Sequence, residues 1–193
     1  MKSYDYILAS KSPRRQMLLK EIVPNFEIQL CDVEEHYPDT LKGAQIVEYL
    51  ANLKASVFNG KLADRQLLIT ADTIVWIDNQ VLGKPKDHAD AVRMLSLLSG
   101  QKHTVFTGVC LKTNLKQHIF SSSTDVYFRQ LTNQEIEYYI DTCKPFDKAG
   151  SYGIQEWIGY IGIERIDGSY FNVMGLPVCL LGQMLAAKGV QIL

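Results

Sequence analysis

The stretch LLITADTIVWI, Leu67 to Ile77, constrains this chain more than any other. It is an apolar run broken only at Thr70 and at Asp72-Thr73. Its β-branched and aromatic residues mark a central strand rather than a half-solvated one. A strand with no polar face has to be covered on both sides, so the rest of the chain has to supply helices. Asp72 stands out in it. A carboxylate inside a central strand is costly unless it is paired or binds a cation. Asp72 is therefore a candidate general base or metal ligand, the plain alternative being a bulge or capping residue at a strand end.

The flanking segments supply the covering elements. YDYILAS reads as a strand. SPRRQMLLKEI reads as a helix, with Ser12 as N-cap, Pro13 at the first position and Met17, Leu18 and Ile22 on one stripe. NFEIQLCDV alternates and predicts a half-buried strand. GAQIVEYLANLKASVFNG predicts a helix whose core face is Ile46, Leu50, Leu53 and Val57 and which Asn59-Gly60 closes. NQVLGKP turns back as a hairpin partner of the central strand. Asp87 with Asp90 opens a helix over HADAVRMLSLLS that Gly100 ends. HTVFTGVCLKT and QHIFSSSTDVYFRQL are long strands around a turn near Asn114. Thr132 and Glu135 form a capping-box pattern before NQEIEYYIDT. KPFDKAGSYGIQ reads as an irregular loop, and WIGYIGIERIDGSYF as a strand pair around Asp167-Gly168. Pro177 opens a last helix to Lys188, which Gly189 stops. The mixture predicts an α/β or α+β sheet with helices on its faces. At 193 residues, it forms one domain or two small lobes sharing one sheet.

Composition removes several classes of function. A net charge of −1 gives no general attraction to nucleic acid or to an acidic membrane, so any anion site has to be a local cluster. The apolar run near the N-terminus is too short for a signal peptide, and Asp5 interrupts its approach. No run approaches the ~18 apolar residues of a membrane span. A cytoplasmic protein is expected, with Cys31, Cys110, Cys143 and Cys179 as separate reduced thiols. His36, His88, His103 and His118 lack metal-site spacing, and His103 reads as a strand-start or supporting residue rather than a catalyst. There is no P-loop, GxGxxG or GxSxG motif.

The chemistry-bearing residues gather elsewhere. Arg14 and Arg15 sit at a helix N-terminus, where the helix field favours acids. Such a pair makes sense where backbone N–H groups and guanidinium groups converge on an anion; two solvent-facing arginines are the alternative. Lys54 lies on the edge of a helix core face, and Lys84 is pinned before Pro85 in LGKP. Either alone would pass for a solvated lysine. With Arg14, Arg15 and Asp72 they make a set suited to triphosphate chemistry. VEEHYP adds Glu34 and Glu35, and a second carboxylate beside Asp72 would complete an oxygen-ligand site for a divalent metal. In DKAGSYGIQ, Asp147, Lys148, two glycines and Gln155 form a loop able to approach a ligand, and Gln155 offers a donor and an acceptor to a base.

In order, LASKSPRRQMLL, LANLKA, ADTIV, LGKP, SGQKHTVFTGV and DKAGSYGIQ resemble the Maf family over nearly the whole chain. The resemblance implies a cytoplasmic nucleoside triphosphate pyrophosphatase with a fold like the inosine triphosphatases, two lobes around a central cleft. It implies hydrolysis to the monophosphate and pyrophosphate with a divalent metal, Mg2+ or Mn2+. AGSYGIQ is similar to the branch acting on dTTP and UTP rather than on 7-methyl-GTP. By the same resemblance, Asp72 is the proton acceptor and Glu35 the second acid, the two expected to hold the metal. Ser10, Ser12, Arg15, Lys54 and Lys84 lie on the phosphate side, and Arg14, Thr73 and Gln155 are tied to base choice. A homodimer is expected, as in similar folds. One departure is Glu156, which stands where the family often has glycine directly after Gln155. The competing readings are a non-catalytic nucleotide-binding regulator of cell division and a pyrophosphatase for purine triphosphates such as ITP or XTP.

Overall fold

In the computed structural model, which describes residues 4–30 and 32–187, the apolar run forms β3, Gln66–Ile77, buried along almost all of its length. Around it lie β1 (Asp5–Leu8), β2 (Glu27–Ile28), β4 (Gln80–Leu82), β5 (Lys102–Lys112), β6 (Gln117–Phe128) and β7 (Ile163–Asp167). The strand order is β2-β1-β3-β5-β6-β7, with β4 on β3. The helices are α1 (Pro13–Lys20), α2 (Ala44–Ser56), α3 (His88–Leu98), α4 (Asn133–Cys143), α5 (Trp157–Gly162), α6 (Tyr170–Met174) and α7 (Val178–Ala187). The chain up to Asp72, Thr107–Ser122 and the residues from Gly175 on make one compact unit. Thr73–Phe106 and Ser123–Met174 make a second.

In the first unit, β1 pairs in parallel with β2 and with β3, the latter from Asp5↔Gln66 to Leu8↔Ile69. Parallel neighbours need crossovers, which α1 and α2 provide. The face α2 buries is Ile46, Val47, Leu50, Ala51, Lys54 and Ala55. Leu53 and Val57, expected on that face, are only partly buried, and the helix ends at Ser56, before Asn59-Gly60. Ala51 and Ala55 pack with Ile7, Ala9, Phe58, Leu68 and Cys110 in one apolar cluster. Small residues there bring α2 close to the sheet. At Gly108 of β5 the approach reaches backbone contact, since a built Cβ would overlap the Val47 carbonyl group and lie 2.8 Å from the Glu48 nitrogen.

Two expectations for this unit are corrected. The stripe of α1 is Leu18 and Leu19, while Met17 is 51% exposed. The NFEIQLCDV segment contributes only the two exposed residues of β2, and Ile28 and Leu30 stay in contact with solvent. Among the described residues of this segment only Glu27 and Ile28 are strand, paired along β1. The expected end of the last helix, Lys188 and Gly189, lies outside the described residues, as does Cys31.

In the second unit, β3 returns as β4 through Asp78 and Asn79, both at positive φ (48° and 60°). That two-residue turn has the backbone twist antiparallel strands need. Asp87 caps α3 by accepting from the Asp90 N–H at 2.8 Å. β7 runs antiparallel to β6, with Val126↔Ile166. The strand pair expected around Asp167-Gly168 is corrected on both arms: before the turn Trp157–Gly162 is the helix α5 and Ile163–Asp167 alone is strand, and after it Tyr170–Met174 is the helix α6. A six-residue apolar run fits either element. Here the Glu156 carbonyl takes up the Gly159 N–H at 2.8 Å and starts the helix. Gly159 is needed there because a built Cβ would overlap the Ile154 carbonyl.

α4 begins with the expected capping box, Thr132 accepting from the Glu135 N–H while Glu135 accepts from the Thr132 N–H. Arg129 adds a two-pronged contact to the same carboxylate at 2.7 and 3.1 Å. Arg129 first, and then the Thr132 N–H, hold the Glu135 carboxyl down at about 2. A depressed folded pKa contributes stability above the unfolded value of ~4.3 and loses it as pH falls toward 2. The melting temperature should therefore drop less between about pH 5 and pH 2 in Glu135→Gln than in the parent protein. Equal acid slopes by circular dichroism would refute this.

Cys110, Cys143 and Cys179 are free thiols as expected, and burial pushes Cys110 up to about 11, which keeps it unreactive. Among the described residues no helix is long and apolar enough to cross a membrane.

Candidate active site

The chain leaves β1 at Leu8 and stays tied to the sheet through the Ala9 N–H, which donates to the Ile69 carbonyl at 2.9 Å. It then turns into α1 on side-chain bonds. Ser10 Oγ accepts from the Ser12 N–H at 3.2 Å, and Ser12 Oγ accepts from the Arg15 N–H at 3.4 Å. The Gln16 amide donates to the Ser10 carbonyl at 3.2 Å. In these bonds both serine hydroxyls act as acceptors, so what each offers an incoming anion is its O–H.

Arg15 is fixed from the far side, its Nε donating to the Gly175 carbonyl at 2.8 Å. Burial lowers the pKa of its guanidinium, Asp72 and Glu35 raise it, and Arg14 lowers it again. The arginine pair at the mouth of α1 is therefore answered in part by the protein's own acids. No acidic residue occupies the first turn of α1 itself.

Those acids meet on Lys54. Asp72 is 7% exposed in β3, and its Oδ1 pairs with the Lys54 Nζ. The same ammonium lies 2.9 Å from Glu35 Oε1. Lys54 reaches them from the buried face of α2, 9% exposed. The Thr70 hydroxyl donates to the Ala51 carbonyl at 2.6 Å and pins that helix to β3 just ahead of Asp72. A buried carboxylate with an ammonium on it is compensated, and losing Lys54 would leave the Asp72 charge stranded. Of the two adjacent acids, Glu35 turns to Lys54, whereas Glu34 lies 3.4 Å from His36 at the surface. Arg14, Arg15 and Lys54 against Asp72 and Glu35 leave this corner one positive charge in excess.

The other expected residues belong to the second unit. Thr73 follows Asp72 in β3 and is half-buried. Lys84 is exposed, between Gly83 and the buried Pro85. The Gly83 carbonyl accepts from the Gly150 N–H at 3.0 Å, which joins the Lys84 segment to the 3-10 turn Ala149–Ser151 ahead of Gln155. Gly150 is at φ 67°, and a built Cβ would press on Val75. Gln155 is half-buried in the turn that closes when the Glu156 N–H donates to the Gly153 carbonyl at 3.0 Å.

Asp147, Lys148 and Glu156 stand out in the sequence around this loop, but their ties to one another and to Tyr139 behind the turn do not. Lys148 is buried, 2.7 Å from Asp147 and 2.9 Å from Glu156. The Tyr139 hydroxyl donates to Glu156 and accepts from the Gly153 N–H at 3.0 Å. The sequence pattern of α4 does not single out Tyr139, whose ring is buried with Ile136 and Ile140. His103 is buried, with Nε2 2.7 Å from the Tyr152 hydroxyl. Burial drives its pKa to about 3, so its ring is uncharged at neutral pH.

The chain matches the family described as Maf-like protein over residues 5–188. A dTTP/UTP pyrophosphatase of Flavobacterium psychrophilum is 56% identical over 171 residues, 89% of this chain and 88% of that protein. One of the same name from Phocaeicola vulgatus is 54% identical over 179 residues, 92% of this chain and 93% of its own. The solved structure of the Staphylococcus aureus Ham1 protein superposes with a TM-score of 0.57 at 15% identity, covering 95% of this chain and 99% of that one. That likeness concerns the fold, and it bears out the expected mixed sheet with helices.

Proposed function

The chain belongs to the Maf-like protein family, and we propose that it hydrolyses dTTP and UTP to the nucleoside monophosphate and pyrophosphate. The observation that carries this reading is Asp72, buried in β3 and held by an ammonium it shares with Glu35, next to Arg15. A protein that only senses nucleotides needs the cations; a buried, oriented carboxylate among them suits proton transfer.

Arg14, Arg15, Lys54 and Lys84 bind the triphosphate, with the Ser10 and Ser12 hydroxyls donating to it. Asp72 takes the proton of a water that attacks the α-phosphorus. The bond from that phosphorus to the bridging oxygen breaks, and the leaving pyrophosphate takes its charge against the cations. Gln155, with Thr73 and Arg14, reads the base. Its amide has a donor and an acceptor for the O4/N3 edge of uracil or thymine.

The carboxylates of Asp72 and Glu35 converge on one cation, Lys54, and are hard oxygen donors of the kind Mg2+ and Mn2+ prefer. Among the described residues no group of three or more His, Cys, Asp or Glu side chains could hold a metal; an ion on these two carboxylates would take water and substrate phosphate as its other ligands. Asp72 and Glu35 would hold that ion, which when bound neutralises phosphate charge and lowers the pKa of a water.

The test is product analysis on dTTP, UTP, CTP, ITP, XTP and 7-methyl-GTP, with Mg2+, with Mn2+ and with a chelator. The expected result is monophosphate plus pyrophosphate, with dTTP and UTP at least about 10-fold ahead of the others. The chelator is expected to abolish turnover. Equal rates on all substrates would discard the pyrimidine preference, and faster ITP or XTP would move the reading to purines. Binding without pyrophosphate release would leave a nucleotide-binding regulator.

A further inference from the structure

Four residues, Gly153 to Glu156, carry Gln155, and one side-chain oxygen holds both ends of that turn. The Tyr139 hydroxyl accepts from the Gly153 N–H at 3.0 Å and donates to the Glu156 carboxylate. The backbone closes the same four residues, Glu156 N–H to Gly153 carbonyl, at 3.0 Å. The side chains fold back over Gly153. A Cβ built there would lie 2.7 Å from the Glu156 carboxylate carbon and 3.1 Å from the Gln155 amide nitrogen. The amide and the carboxylate thus crowd one glycine, and the place of one limits the place of the other.

The anchor of this arrangement is rigid. Tyr139 is fully buried, and burial together with the Glu156 carboxylate raises its pKa, so its proton stays on the phenol and is donated to Glu156. Lys148 is buried and reaches Glu156 at 2.9 Å and Asp147 at 2.7 Å. Glu156 therefore has a neutral donor on one oxygen and an ammonium on the other. Buried partners of this kind hold one rotamer because every alternative strands a polar group.

We propose that Glu156, held by Tyr139 and Lys148, is a positioning residue for base selection, fixing where the Gln155 amide stands. The proposal rests on the base-reading role given to Gln155 above. Glu156 is then the part that locks the selective loop.

The experiment measures kcat and KM for UTP and CTP in the parent enzyme and in Tyr139→Phe, Glu156→Gln and Glu156→Ala. The readout is the ratio of the two kcat/KM values, which a lower fraction of folded enzyme leaves unchanged. Glu156→Ala and Tyr139→Phe should lower the preference for UTP about 5- to 10-fold, mainly through the KM for UTP, by removing a fixed hydrogen-bonding frame. Glu156→Gln can still accept from the tyrosine but loses the ionic tie to Lys148, so its loss should be intermediate, about 3-fold. A ratio within about 1.5-fold of the parent in any of the variants that folds overturns the proposal. A parent enzyme that releases no pyrophosphate from either nucleotide overturns the pyrophosphatase reading instead.

Discussion

Asp72→Asn is expected to cut pyrophosphate release from saturating dTTP by about 10^3-fold at neutral pH, the loss typical of a missing general base. At saturating Mg2+ most of the loss should appear in kcat, since the groups assigned to the phosphates directly are the cations and hydroxyls around it and Glu35 would still hold the ion. The fold should persist for a reason visible at Lys54. Its ammonium keeps Glu35 at 2.9 Å, and the asparagine oxygen can still accept from it. The variant thus removes a charge and a base while leaving the shape. Steady-state kinetics with a thermal melt on the same preparation separate the two effects. Activity within tenfold of the parent would remove Asp72 from the chemistry; a collapsed melt would make it a structural residue.

What could be read from the sequence was what is decided locally. Ser12-Pro13 and the Thr132/Glu135 pair act within one turn of backbone, so the starts of α1 and α4 follow from neighbouring residues alone. β3 was legible because an apolar run of its length has few alternatives in a mixed chain. α5 was not, because its six residues suit a strand equally well and the contact of Gly159 with the Ile154 carbonyl decides. The candidate site divides in the same way. Residue type exposed Asp72, Arg15 and Lys54 as candidates, Asp72 and Lys54 as charges beside apolar positions and Arg15 as a cation where the helix field favours acids. That Lys54 would be shared by Asp72 and Glu35 depends on α2 crossing β3, which no local pattern states. Tyr139 was hidden for the opposite reason. Its ring satisfies the apolar stripe of α4, and only its hydroxyl takes part in the loop.

Gly108→Ala is expected to show how tightly the fold and the site are joined. A methyl group normally stabilises a strand position by about 0.5–1 kcal/mol relative to glycine. Gly108 lacks the positive φ that would make a side chain strained, so any loss has to come from contact. The contact is with backbone, the Val47 carbonyl and the Glu48 nitrogen, which no rotamer change can move aside. α2 must therefore retreat by about 1 Å to restore ordinary carbon contact. Forced overpacking of this kind costs about 1–3 kcal/mol or somewhat more, and a chain of this size loses roughly 2–4 °C of melting temperature for each kcal/mol. A fall of about 6 °C is expected. The same retreat carries Lys54, two turns further along α2, away from Asp72 and Glu35. Turnover at a temperature where the variant is fully folded should therefore fall as well, by several-fold, while a surface substitution of equal thermal cost should not lower it. A melting temperature within about 2 °C of the parent would show that α2 accommodates the methyl freely, and normal turnover in a destabilised variant would show that Lys54 does not depend on the seating of its helix.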